Sequence, residues 1–222
     1  MTTVSFIQKK CCICGKESRQ AEIGVRNAME PYDLDMRPTG APRSSIYMWV
    51  QCCGACGYCA SDISKAAIDA KPIINSEEYQ QALHNRQFPE SLNHFICLSM
   101  IQEAGGDYGR AGWAHVYCAW VCDDDSNIRQ HAVNCRQEAL RLFEKAQAEG
   151  QRFAENSEEE EIIKIDLLRR ARKFDDAKKL CEAMLEKDCD KKTRSILDYQ
   201  LELIEKGDAK VHTLNEALED TD

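Results

Sequence analysis

Two short stretches constrain this chain more than any others: "CCICG" at residues 11–15 and "CCGACG" at 52–57. Each contains C-x-x-C-G. Two thiolates three positions apart can share one ion if the chain turns tightly between them. The glycine after the second cysteine permits a positive φ, so that backbone N–H groups can turn toward sulfur. Two such knuckles supply four thiolates, enough to close a tetrahedral site. The spacing therefore makes Cys11, Cys14, Cys53 and Cys56 the candidate ligands of one metal ion. Four protein ligands leave no position for water or substrate, so the ion is expected to be structural. Zinc is the default; a rubredoxin-like iron site uses the same pattern and stays open. In a module this small, binding the ion is expected to supply much of the folding free energy.

Cys12, Cys52 and Cys59 lie close enough in sequence to exchange with those ligands, and Cys56-x-x-Cys59 is itself an allowed pair. The trailing glycines favour Cys53 with Cys56. Cys12 and Cys52, next to ligands, are expected to turn away from the ion as small, semi-buried residues. A thioredoxin-like motif would precede a helix inside a βαβ unit, and neither pair has that context.

Thirteen cysteines in 222 residues would suggest disulfides in a secreted protein. Here the count is odd, no export signal is read at the N-terminus, and the second half of the chain has helical periodicity. A reducing, cytoplasmic setting is the expectation. No apolar run approaches the roughly 20 residues that a membrane helix needs. The net charge of −9 is uneven: residues 1–75 carry nine Lys/Arg against seven Asp/Glu, and residues 76–222 carry 20 against 31. The acidic part disfavours nucleic acid and leans toward a basic or amphipathic protein partner.

Along the chain, "GVRNAMEPYDLDMRPTGAPR" reads as an extended loop and "SSIYMWVQC" as β-rich. Ser61 or Asp62 reads as the cap of a first helix, and Asn75 or Ser76 as the cap of a second. A helix follows Pro89 and ends at Gly105-Gly106, an asymmetry typical of helices. Trp113, Val116, Tyr117 and Trp120 have helical spacing. Further helices are expected from Ser126 onward, on either side of Lys173, over "TRSILDYQLELIEKGD", and over Leu214–Leu218. Tyr108 and Ala111 recur as Phe174 and Ala177, 66 residues later. That is two periods of 33, close to the tetratricopeptide helix pair, although the repeat between them is degenerate.

Other candidates are weaker. His115, Cys118 and Cys122 share one helix face and are able to ligate a second ion, but buried packing is favoured. Asp123-Asp124-Asp125 reads as solvated and as complementing the next helix dipole, and Arg169, Arg170, Arg172 and Lys173 as a helix C-terminal cluster. No catalytic constellation is present: there is no G-x-S-x-G, Walker loop, H-E-x-x-H or dinucleotide fingerprint.

Taken together, "CCICGK", "YDLDMRP", "YMWVQCCGACGYCAS", "AHVYCAWVCDD" and "LDYQLELIEKGD" resemble an uncharacterised bacterial family, domain of unknown function 2225. The resemblance spans nearly the whole chain. Where many such knuckles have proline after the first cysteine, this chain has Cys12 and Gly54. The family implies a zinc-ribbon-like start, a tetratricopeptide-like helical remainder and the same four ligands, Cys11, Cys14, Cys53 and Cys56. It brings no activity. The fold expected is mainly α: a small β-rich zinc-ribbon-like module over 1–70, then a tetratricopeptide-like array over 71–222. The function expected is a non-enzymatic zinc-binding adaptor for a protein partner. A thiol-based redox or metal sensor and a nucleic-acid-associated ribbon are the alternatives.

Overall fold

The computed structural model describes residues 3–24, 32–66 and 69–218. Two antiparallel two-stranded ladders come first. Strands β1 (Thr3–Lys10) and β2 (Glu17–Gly24) form a hairpin, paired from Thr3↔Gly24 to Lys10↔Glu17. Strands β3 (Gln51–Cys52) and β4 (Cys59–Ala60) form a second, very short one. Between the hairpins lie helix α1 (Gly40–Ser44) and a 3-10 turn at Ile46–Met48. Nine further helices are described, and the fold is mainly α with a small β module at its N-terminal end.

The segment "SSIYMWVQC" is thus helical turn rather than strand up to Met48, and only Gln51 and Cys52 are extended. Its β-favouring residues are overridden by burial: Ile46 and Val50, one helical turn apart, are both buried. Nor does a helix start at Ser61. Asp62 accepts from the Ser64 N–H (3.1 Å) and hydroxyl (2.7 Å), which closes an Asx-turn that goes no further. Residues 67–68, inside that expected helix, and 25–31, inside the expected loop, lie outside the described residues.

The helices that follow are α2 (Lys71–Ile74), α3 (Glu77–Leu83), α4 (Glu90–Ala104), α5 (Tyr108–Asp124), α6 (Ala132–Ala148), α7 (Ser157–Arg170), α8 (Phe174–Leu185), α9 (Lys191–Glu205) and α10 (Leu214–Leu218). Their starts are chemically marked. Ser76, Asp107, Asn156 and Asp190 each accept a bond from the backbone N–H three residues on. Their ends are marked too. α4, α6, α7 and α9 each close with paired N–H bonds back into the last turn, as in Gly106→Glu103 O and Asp107→Gln102 O. The residue in the left-handed region at these ends is Gly106, Gly150, Arg172 and Gly207.

Tyr108 and Phe174 are the first residues of α5 and α8, and Ala111 and Ala177 are fully buried one turn on. Arg141, one period after Tyr108, lies inside α6. At Gly112 any Cβ would sit 2.5 Å from the Phe143 ring, so this glycine sets how closely α5 and α6 approach. One apolar cluster runs from Cys11 and Cys53 through Ile63 and Tyr79 to Leu167, so the core passes across residue 70 without a break. A second cluster joins α7–α10 around Leu197, and Leu34 from the N-terminal segment is buried in it.

Candidate metal centre

The two knuckles are built alike. In the first, the Cys11 N–H donates to the Lys16 carbonyl (2.9 Å) and the Gly15 N–H to the Cys11 carbonyl (2.9 Å). In the second, the Cys53 N–H donates to Tyr58 O (2.9 Å) and Gly57 N–H to Cys53 O (2.8 Å). Gly15 and Gly57 take φ of 72° and 76°, a region that costs other residues roughly 1–2 kcal/mol. The tight turn at each hairpin tip follows directly from C-x-x-C-G.

The tips face one another. Cys11 Sγ lies 3.7 Å from Cys56 Sγ, and Cys14 Sγ lies 3.7 Å from Cys53 Sγ. All four sulfurs fall within 4.8 Å of each other. With metal–sulfur bonds of about 2.3 Å, a tetrahedron has edges of about 3.8 Å. The four thiols thus fit one tetrahedral ion, and the chemistry of the donor set suits a thiolate-binding metal. Among the described residues, this is the one group of three or more His, Cys, Asp or Glu side chains so gathered.

Backbone donors complete the site. The Lys16 N–H faces the Cys14 sulfur and brings its thiol down to about 7. The Tyr58 N–H faces Cys56 in the same way, but there burial dominates and pushes the thiol up. Burial also raises Cys11. Thiols held up by burial must lose their protons to bind an ion, so metal binding here releases protons and weakens in acid.

The neighbouring cysteines stand apart. Cys12 is exposed, and its N–H donates to Ile63 O (2.9 Å). Cys52 and Cys59 oppose each other across the β3–β4 ladder, with Cys59 fully buried. Cys118 and Cys122 are buried in the α4–α6 packing beside Cys135, and the Cys118 thiol contacts Leu92 O at 3.9 Å. His115, Cys118 and Cys122 do not gather into a ligand set.

The second knuckle is bolted to the helices. The Tyr79 hydroxyl in α3 donates to Gly57 O (2.8 Å) and accepts from the Cys59 N–H (3.2 Å). Trp49 meets Tyr117 of α5 edge-on, with ring centroids 5.2 Å apart. Between the knuckles the chain is held by charge. Asp35, fully buried, accepts from the Trp120 indole (2.8 Å) and from Arg170 (2.5 Å). Arg170 and Arg136 both reach Asp123 at 2.5 Å, and Arg37 forks onto Asp124. Burial pushes the Asp35 carboxyl up, but the guanidinium groups of Arg170 and Arg136 more than reverse this and leave it below its usual range. Asp33, bonded to Arg43 (2.9 Å), is raised to about 6 by burial and by the Asp35 charge.

This network corrects one expectation: Asp123 and Asp124 are not simply solvated, since they receive buried arginines. Arg169 and Arg170 do lie in the last turn of α7, and they are buried there: Arg169 is bonded to Asp166 (2.6 Å) and to the carbonyls of Asp208 and Lys210. The composition of "YDLDMRP" was the available signal, because charges that alternate with apolar residues need partners once buried.

Among the described residues, no helix is long and apolar enough to cross a membrane. No protein-family model, no curated protein and no solved structure matches the chain.

Proposed function

We propose that this chain is a non-enzymatic, cytoplasmic adaptor in which one zinc ion closes the N-terminal module. The helices behind it, tetratricopeptide-like in arrangement, present a surface for a protein partner. The resemblance to domain of unknown function 2225 supports the same reading and adds no activity. The observation that carries it is the meeting of four thiols at tetrahedral spacing on two matched knuckles. Four protein ligands close the coordination sphere, so the metal's chemistry is to hold the fold. The acidic helical part favours a basic or amphipathic partner, and elongated helical packings offer extended surfaces for one.

Elemental analysis of the purified chain tests this. One zinc per chain is expected, and Cys53→Ser with Cys56→Ser should abolish it. Full metal content in that double variant, or none in the native chain, would overturn the reading.

A second reading, a thiol redox sensor, is favoured by the register of β3 and β4. Cys53 N–H donates to Tyr58 O, which makes Cys52–Cys59 a non-hydrogen-bonded cross-strand pair. Such pairs have Cα atoms about 4.5 Å apart, within disulfide reach. Hydrogen peroxide would take two electrons and two protons from these thiols, leaving a disulfide and two waters. Thiol mass spectrometry after mild peroxide would show a Cys52–Cys59 link, and its absence rejects the sensor.

A further inference from the structure

Every tryptophan of the chain lines one cavity. Trp49, Trp113 and Trp120 surround it together with Tyr32, Tyr117 and Pro42, and its volume is about 300 Å³. Two of the indoles are fixed from behind: Trp113 donates to Phe153 O (2.7 Å) and Trp120 to Asp35 (2.8 Å). Trp49 stands across the rings of Tyr117 and Trp120 at 86° and 83°, so aromatic planes meet there nearly at right angles. No charged side chain lines the cavity.

Trp49 and Pro42 also line a second cavity, of about 510 Å³, with Ala21, Ile23 and Met48. The two residues thus form a ridge with an apolar hollow on either side. The charges at the second hollow cancel: Lys9 pairs with Asp62 (3.1 Å) and Glu22 (3.5 Å), and Lys65 with Asp62 (3.6 Å). What is left over is hydrogen-bond donors. Among the described residues, the Trp49 indole N–H and the Tyr32 and Tyr117 hydroxyls have no partner, and all three are open to solvent.

These features select an occupant. A charged ligand meets no counter-charge in either hollow. A compact apolar molecule fills one hollow and leaves the donors unpaired. The matching ligand crosses the ridge, places an apolar group on each side of it and brings acceptors without charge. A polyproline II segment does all three. It repeats every three residues, about 9 Å, so prolines return to the same side, and its carbonyls have no internal partners.

We infer that the two hollows beside Trp49 are a docking groove for a proline-rich partner segment in the polyproline II conformation. Prolines one turn apart enter the hollows, and a carbonyl between them accepts from the Trp49 N–H, as in other aromatic-lined grooves for such segments. This deepens the adaptor reading, on which it rests, by naming the surface and the partner's chemistry.

The indoles make the site its own reporter, because the chain has no tryptophan elsewhere. The full, metal-loaded chain is titrated with decaproline. A saturable change in tryptophan fluorescence is expected, and a glycine–serine decapeptide should cause none. Trp49→Phe keeps a ring and removes the free donor, and should weaken binding about three- to tenfold. Tyr47→Ser, at an exposed position outside both hollows, should leave binding unchanged. No saturable change up to about 1 mM decaproline would overturn the inference. So would equal binding of an alternating valine–serine decapeptide, since any extended apolar segment would then suffice. Saturation by tetramethylammonium without binding of decaproline would make the site a cation cage instead. If Trp49→Phe fails to fold, the comparison of peptides on the native chain still decides. Metal content is read on the same sample: a chain without metal rejects the adaptor reading, whereas a metal-loaded chain that ignores decaproline rejects this groove alone.

Discussion

The two knuckles have matching turns, hydrogen bonds and glycine conformations, yet they live in different surroundings. The first sits at the tip of a hairpin whose outer strand exposes Val4 and Phe6. The second is packed against α3, with Tyr79 bonded to it twice and Leu83 pressed against Gly57. One half-site is thus carried by the helical core, and the other is delivered to it by a hairpin with little core of its own. The same local motif can be a firm anchor or a loose arm, and the difference comes entirely from what lies behind it. An ion held by the four thiols would join the arm to the anchor.

The largest expected effect is metal removal. Binding free energies of structural zinc sites are about 10 kcal/mol or more, and they are folding free energy for the parts that the ion ties. Stripping the ion with a chelator should raise amide exchange across β1 and β2 far more than across 51–60. Equal loss of protection in both halves, read by hydrogen-exchange mass spectrometry, would erase the proposed asymmetry.

Next comes the chain between the knuckles. Arg170→Ala leaves Asp35 buried with its closest cation gone, which should cost about 3–5 kcal/mol. Metal content should not change, because the clamp and the thiols are separate supports. Chemical denaturation together with elemental analysis would show whether they are.

The glycines test the comparison more finely. Gly15→Ala should cost about 1–2 kcal/mol for its left-handed backbone, since its nearest new contact is the flexible Lys10 side chain at 3.8 Å. Gly57→Ala carries the same strain and places its Cβ 2.5 Å from Leu83 Cδ2, so an overpacking cost of about 1–3 kcal/mol adds to it. Equal melting shifts for the two variants would mean that the second knuckle is no better anchored than the first. An effect as small as that of Gly15→Ala is expected from Tyr79→Phe. It removes a hydroxyl that bonds two backbone groups, and should cost about 1–2 kcal/mol in thermal unfolding.

Much of this architecture was legible. A ligand pair with a glycine behind it is a local signal, so the knuckles could be read from five residues each. The helix start at Ser76 is local for the same reason. The cap-like Ser61–Asp62 misled because an Asx-turn and a helix N-terminus use the same side-chain bond, and only the following residues decide between them. The segment around Ile46 misled because its aromatic and branched residues favour strands in isolation, while the burial of Ile46 with Val50 selects a helical turn. The ionic clamp lay beyond local reading altogether. Asp35 meets Arg170 across 135 positions, and Arg170 meets Asp123 across 47. Nothing in a run of charges says which distant charge it will be buried against.

The stretch around Leu34 also ties the beginning of the chain to its end. Leu34 N–H bonds His212 O, Leu214 N–H bonds Tyr32 O, and Asp33 bridges Thr213. A ribosome releases the first of these partners about 180 residues before the second. Asp35 and Arg37 can meet Trp120 and Asp124 once α5 is made, but the backbone bonds of Tyr32 and Leu34 close only after α9 has emerged.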